Sequence, residues 1–308
     1  MQEIYQKTLL NSVKFEGVGL HSGKKSNLQI FPAEEDRGIV FKRVDLKKNN
    51  LVEANYRNVT STKLCTTLEN NYGVKVSTVE HLLAALYLSN IDNAIIEIDT
   101  DEVPIMDGSA KDFLDGLKDI KIKTLPKKRK YLKIIDKIEL VDGERKISIE
   151  PTDHSLEVDF QLNYKNKVIG NQKNTINFEK DNLNEVSSSR TFCLHEDIEK
   201  IKKVGLAKGG SLDNAVVVDD NNVLNSGGLR NEKEFVNHKI LDLVGDFILS
   251  GYRIIGKVIC YQGGHELTNM FLRKLFNSKS SLKIYESKEI VFSKNLSPKQ
   301  TSKIAVNA

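Results

Sequence analysis

The chain contains six histidines, and three of them stand in text that could carry chemistry. The densest stretch is His238-Lys-Ile-Leu-Asp242-Leu-Val-Gly-Asp246. At about 100° per residue, groups four apart on a helix lie one turn along and on one face, so a helix here aligns His238, Asp242 and Asp246. An imidazole and a carboxylate one turn apart can grip one divalent ion, and a further carboxylate can orient a ligand or a neighbouring catalytic group. A solvated His/Asp face on an amphipathic helix, with Phe235, Leu241, Val244, Ile248 and Leu249 buried, accounts for the same spacing. No HExxH or paired CxxC motif decides between the two.

The second stretch is Ser77-Thr78-Val79-Glu80-His81. Ser77 and Glu80 have the spacing of a capping box, which by itself needs no catalytic role. The same placement suits catalysis. The positive end of a helix dipole favours neutral His81 and ionised Glu80, and a carboxylate beside a metal ligand can act as general base toward water. The third is Gly263-Gly264-His265 at a strand-to-helix turn. Glycines there admit a ligand close to the backbone, and His265 reads either as a general acid or as an exposed turn residue. His21 sits in a glycine-rich turn, and His154 and His195 read as surface residues without a catalytic part.

Apolar periodicity predicts what positions these residues. Strands are expected at residues 7–15, 25–31 and 38–44, a helix at 78–89, a strand at 94–98 and a helix at 110–117. Residues 121–130 are charged, hold Pro126 and lack an apolar period, so a domain boundary and a solvated linker are expected there. The second half repeats the plan: strands at 130–140, 145–149 and 156–162, a helix at 232–249, a strand at 253–261 and a helix at 266–276. Val79-Glu80-His81-Leu82-Leu83 and Val236-Asn237-His238-Lys239-Ile240 occupy matching places in the two halves, which suggests an old duplication. The expected fold is α+β. It has two similar domains, 1–126 and 127–277, each a β-sheet layered on helices with a small insert. Residues 186–228 read as the insert of the second domain, and 278–308 as a polar, irregular tail.

Composition narrows the classes. The chain is 39% hydrophobic and 29% charged, with a net charge of +4, three scattered cysteines and no tryptophan. That is ordinary for a globular protein and fits neither a disulfide framework nor a four-cysteine metal site. The basic run Lys127-Lys128-Arg129-Lys130 lacks the stacking aromatics of a nucleic-acid surface, so no nucleic-acid partner is expected. No apolar run approaches membrane-spanning length and no signal peptide is evident, so a cytoplasmic location is expected.

Taken together the chain resembles the UDP-3-O-acyl-N-acetylglucosamine deacetylases of lipid A synthesis. The matching text is Gly17-Val-Gly-Leu-His-Ser-Gly-Lys24, Ser77-Thr-Val-Glu-His-Leu82, Pro104-Ile-Met-Asp-Gly-Ser-Ala110, Ser189-Arg-Thr-Phe192, Gly209-Gly210 through Val217-Val218-Asp219-Asp220, Asn237-His-Lys-Ile-Leu-Asp242 and Gly263-Gly-His265. It runs in the family's order across residues 6–275.

The resemblance implies an active site between the two domains, and removal of the N-acetyl group there by a catalytic Zn2+ held by His81, His238 and Asp242, a donor set that also suits Fe2+. It implies Glu80 as general base, His265 acting on the intermediate or leaving amine, Asp246 orienting His265, and Thr191 helping to hold the oxyanion. For the substrate it implies Phe192, Leu206 and Val216 along an acyl-chain passage, Lys239 near the phosphates or sugar, and Asp159, Phe160 and Arg145 near the nucleotide. Gln262 stands where many relatives carry a basic residue, which puts a phosphate contact there in doubt. In some bacteria such proteins are controlled by proteolysis, and the ending Lys303-Ile-Ala-Val-Asn-Ala308 has the character of a handle for an ATP-dependent protease. A zinc amidase acting on another N-acetyl sugar or a peptide, and a non-catalytic nucleotide-sugar-binding module, are the rival readings. Acetate release separates them.

Overall fold

The computed structural model describes residues 3–153 and 155–287. His154 and the proposed protease handle in the tail lie outside the described residues. The first part of the chain forms β1 (Tyr5–Leu9), β2 (Val13–Val18), β3 (Lys25–Pro32), β4 (Ile39–Arg43), β5 (Leu51–Glu53), β6 (Val59–Ser61), β7 (Thr67–Glu69), β8 (Lys75–Val76), α1 (Glu80–Leu88), β9 (Ala94–Ile98), α2 (Lys111–Lys118) and β10 (Ile122–Lys128). The rest forms β11 (Lys130–Ile134), β12 (Ile138–Asp142), β13 (Arg145–Glu150), β14 (Leu156–Asn163), β15 (Asn171–Asn177), α3 (Asn184–Ser188), β16 (Phe192–Leu194), α4 (His195–Lys203), β17 (Val216–Val218), α5 (Glu234–Phe247), β18 (Arg253–Tyr261), α6 (His265–Asn277) and β19 (Leu282–Glu286).

The fold is mixed α/β, with several sheets and few helices. Five strands of the first part lie in the order β2-β3-β9-β4-β5. In the second part β12-β13-β18-β14-β15 repeats that order, and every neighbouring pair keeps the same sense. Each central strand, β9 or β18, follows the helix that carries His81 or His238. The N-terminal stretch of β18 also takes β11 as a parallel neighbour, and β11 in turn pairs with β19.

The helices pack on one another and on the sheets: α1 on α5, α2 on β2, and α6 on β12 and β13. Helix α1, Glu-His-Leu-Leu-Ala-Ala-Leu-Tyr-Leu, is apolar almost all round, so it is stable only when covered on every side. It is buried from Glu80 to Leu86, and α5 is buried along nearly its whole length. One continuous apolar cluster runs from Leu9 to Leu275 and includes both helices.

Several expectations are corrected. The strand expected at 7–15 is two strands with a turn at 10–12, and that at 130–140 breaks at 135–137. The supposed linker at 121–130 holds β10, which pairs antiparallel with β1. Arg129 is buried there, its guanidinium on Asp92 at 2.6 Å, so a charged run without apolar period is ordered by partners distant in sequence. Strand β15, almost wholly polar, was not expected; backbone pairing along the edge of β14 forms it. Residues 282–286, expected to be irregular, form β19 by the same means.

Candidate active site

The site is assembled where α1 meets α5. A Cβ at Gly245 of α5 would lie 2.1 Å from the Glu80 carbonyl oxygen, so only glycine permits this approach of the two helices. The approach brings His81 Nε2 to 3.4 Å and His238 Nε2 to 3.3 Å from Asp242 Oδ1, with the imidazole rings edge to face at 5.0 Å. One donor atom from each of the three residues lies within 4.8 Å of the others, and all three residues are buried.

The start of α1 is not capped by Ser77. The N-cap position is Val79, without a side-chain cap bond, and Ser77 Oγ donates to the Asp101 carbonyl. Thr78 has φ of +56°, a strained conformation for a β-branched residue. Its hydroxyl donates to Glu102 Oε1 at 2.9 Å, and the same buried carboxylate accepts the His21 and Ser22 backbone N–H groups. Glu102 thus ties the Gly17–Gly23 turn to the start of α1. Glu80 is freed from the expected box and accepts the Thr66 N–H at 3.1 Å.

His265 opens α6. Its Nδ1 is 2.8 Å from Asp246 Oδ2, and its Nε2 is 3.5 Å from Glu80 Oε1 and 4.0 Å from Asp242 Oδ2. Asp246 Oδ1 accepts the Thr66 hydroxyl at 2.6 Å. Thr66 therefore spans Glu80 and Asp246. Nothing in the local text Leu64-Cys-Thr-Thr67 marks it.

The electrostatics separate the roles. Burial alone would lower the pKa of His265, but the Asp246 and Glu80 carboxylates outweigh it and push it up to about 10, so the ring is cationic at neutral pH. Burial, only partly opposed by Asp242, lowers His238 to about 3, leaving it neutral and a competent metal donor. Burial raises Glu80 above the usual carboxylate range, against the pull of His265 and His81. Burial would raise Asp242 too, yet His238 and Lys239 hold it well below its ordinary value.

The donor set fits a divalent cation on this structure's own evidence. Asp242 Oδ1 and His81 Nδ1 are buried without a hydrogen-bond partner, although two imidazole nitrogens face that carboxylate oxygen. Two nitrogens and one carboxylate suit Zn2+ or Fe2+.

The substrate residues read from the sequence divide into two groups. Phe192 lies beside the cluster, 6.2 Å from the His238 ring, with Lys239 Nζ 5.5 Å above it. Lys239 Nζ also holds Asp242 Oδ2 at 3.0 Å. Thr191 precedes Phe192 and donates its N–H to the Gly108 carbonyl at 2.7 Å. Val216 is fully buried, paired in register with Phe192, and Leu206 is half-buried in the same insert. The residues expected near the nucleotide lie on β13 and β14. Residues alternate across β14, so Asp159 faces out to Lys173 while Phe160 turns into the core at 1% exposure. Phe160 packs beneath Gly263 and offers no open face for stacking in this structure. Arg145 is held by Asp142 and Glu266. The Gln262 side chain accepts the Asn163 N–H at 2.9 Å and donates to the Asn163 carbonyl, so it extends the sheet. His195 is exposed, as expected, and His21 is buried with its Nδ1 accepting the Ala207 N–H at 3.4 Å.

A profile of the family described as LpxC, UDP-3-O-acyl N-acetylglycosamine deacetylase, matches residues 6–277. The chain belongs to that family. It is 42% identical over 283 residues to the UDP-3-O-acyl-N-acetylglucosamine deacetylase of Geotalea uraniireducens (strain Rf4), covering 92% of each chain. It is 41% identical to that of Pseudoalteromonas translucida (strain TAC 125), over 90% of this chain and 92% of the relative. It is 38% identical to that of Actinobacillus pleuropneumoniae serotype 3 (strain JL03), over 93% and 95%. The deacetylase family match takes in every residue of the buried cluster, from Glu80 to His265. Among the described residues no helix is long and apolar enough to cross a membrane.

Proposed function

We propose that the chain hydrolyses the N-acetyl group of UDP-3-O-acyl-N-acetylglucosamine, giving acetate and UDP-3-O-acyl-glucosamine, the committed step of lipid A synthesis. The observation that carries the reading is the convergence of a buried His/His/Asp donor set with a buried carboxylate and a carboxylate-held imidazole, within a chain of this family. His81, His238 and Asp242 would hold Zn2+. When bound, the ion supplies Lewis acidity, polarising the amide carbonyl and acidifying water.

The chain's own residues do the rest. Glu80, made more basic by burial, takes a proton from water at its Oε1, the oxygen that faces His265 Nε2. His265 enters the reaction protonated, stabilises developing negative charge, and gives its Nε2 proton to the departing amine. Asp246 fixes the ring through Nδ1 and stabilises its charge. Thr191 lies on the segment flanking His238, where it would help hold the oxyanion. Phe192 and Leu206, over buried Val216, would border the acyl chain. Lys239, Asp159 and Arg145 would meet the nucleotide sugar. Phe160 would complete that set from its buried place on β14 beneath Gly263.

The matching strand orders support two domains of one design, 1–126 and 127–277, with the site at the α1–α5 contact between them. A nucleotide-sugar substrate implies a cytoplasmic reaction. The test is acetate release from the acylated and unacylated UDP-sugars, before and after chelation and with Zn2+ restored. Acetate should appear from the acylated sugar and depend on the metal. Equal kcat/KM on both sugars would favour a general amidase, and release from neither a binding module.

A further inference from the structure

The Pro104–Ala110 text belongs to the resemblance, yet it supplies no donor to the buried cluster. Its loop instead grips the segment 187–191. The Ala110 N–H donates to the Ser187 carbonyl at 3.0 Å, and the Thr191 N–H to the Gly108 carbonyl at 2.7 Å. Gly108 has φ of +85°, and a Cβ there would lie 2.1 Å from the Asn214 carbonyl oxygen, so the loop tip fits between this segment and Asn214 only as glycine.

A double ion pair secures the other side. Glu234, in the first turn of α5, is 0% exposed. Its Oε1 accepts the Arg190 N–H and Nε–H at 3.1 and 2.7 Å, and its Oε2 accepts Arg190 Nη2 and the Arg230 N–H at 3.1 and 2.6 Å. Arg230 then carries the connection back to the loop, its Nη1 donating to Asp107 Oδ2 at 2.7 Å and to the Ser188 carbonyl at 2.9 Å.

The residue caught between the two pairs is Ser189. Its carbonyl lies 3.1 Å from His238 Nδ1. A carbonyl can only accept, so Nδ1 carries the proton and Nε2 presents its lone pair toward His81 and Asp242. We propose that Asp107 and Arg230 are positioning residues for the metal site, locking residues 187–191 so that the Ser189 carbonyl sets the orientation and proton position of His238. This rests on the reading of His238 as a metal ligand.

The experiment is Zn2+ affinity, measured by competition with a chromophoric chelator, on the full chain with Asp107→Ala, Arg230→Ala, both together, and His238→Ala. Each single variant should bind Zn2+ about tenfold more weakly, the scale seen when a ligand's supporting partner is lost. The double variant should be no weaker than the worse single, because the two residues act through one contact. The Asp107–Arg230 pair is part-exposed, at 14% and 32%, so Tm should stay within about 4 °C. Arg230→Lys, which keeps the charge but loses the planar fork, should recover part of the affinity. Should Asp107→Ala fail to fold, Asp107→Asn is read the same way. Affinity within twofold of the parent in both single variants, or losses that add in the double, overturns the proposal. Unchanged affinity in His238→Ala would instead overturn the ligand assignment beneath it.

Discussion

Replacing Gly245 by alanine adds one methyl group where α5 crosses α1. In an exposed helix that change stabilises by about 1 kcal/mol, because glycine is the poorer helix former. Here the new carbon would lie 2.1 Å from the Glu80 carbonyl oxygen. An unstrained C···O contact is about 3.3 Å, so the helices must part by roughly 1 Å. Glu80 and His81 ride on α1, whereas His238, Asp242 and Asp246 ride on α5, so the separation opens the cluster along the line that assembles it. A misplacement of about 1 Å can cost roughly 100-fold in rate, equivalent to about 2.7 kcal/mol. Overpacking adds about 1–3 kcal/mol of destabilisation, which outweighs the propensity gain. Gly245→Ala should therefore lower Tm and lower kcat by about two orders of magnitude at saturating Zn2+. Deacetylation kinetics and thermal unfolding read the two effects. A raised Tm together with kcat within threefold of the parent would refute the reasoning.

Glu80→Gln should keep about one Zn2+ per chain and lose roughly 10²- to 10⁴-fold in kcat, since it removes a base and not a ligand; metal loss in step with rate would show that Glu80 holds the ion. The kcat/KM–pH profile should be bell-shaped, rising as Glu80 ionises and falling as His265 loses its proton. Because Asp246 and Glu80 hold the His265 proton, Asp246→Asn should move the basic limb to lower pH, and an unmoved limb would remove His265 from that role. Shortening the acyl chain should lower kcat/KM by about fourfold for each methylene that is buried, at about 0.8 kcal/mol each; a flat response across chain lengths would place the chain outside any apolar passage.

Local pattern determined much of this protein. Apolar runs and periods marked α1, β9, α5, β18 and α6 to within two residues, because burial of those elements dictates residue type along them. The four-residue spacing of His238, Asp242 and Asp246 put three site groups on one face, as any helix must. The repeated text around His81 and His238 already hinted at the matching sheet orders.

What local text could not decide was partner choice. Ser77 and Glu80 spell a capping box, but Glu102, Thr66 and Asp101 outcompete it, since buried polar groups bond whichever partner packing brings nearest. Polar β15 and charged β10 carry no apolar alternation and are strands because neighbouring edges offer backbone partners. The resemblance puts Phe160 near the nucleotide, and only the structure shows that β14 alternation turns it under Gly263. Gly245 was visible as a glycine inside a helix. Only the crossing of α1 and α5 showed that its missing side chain is the space in which the two halves of the site meet.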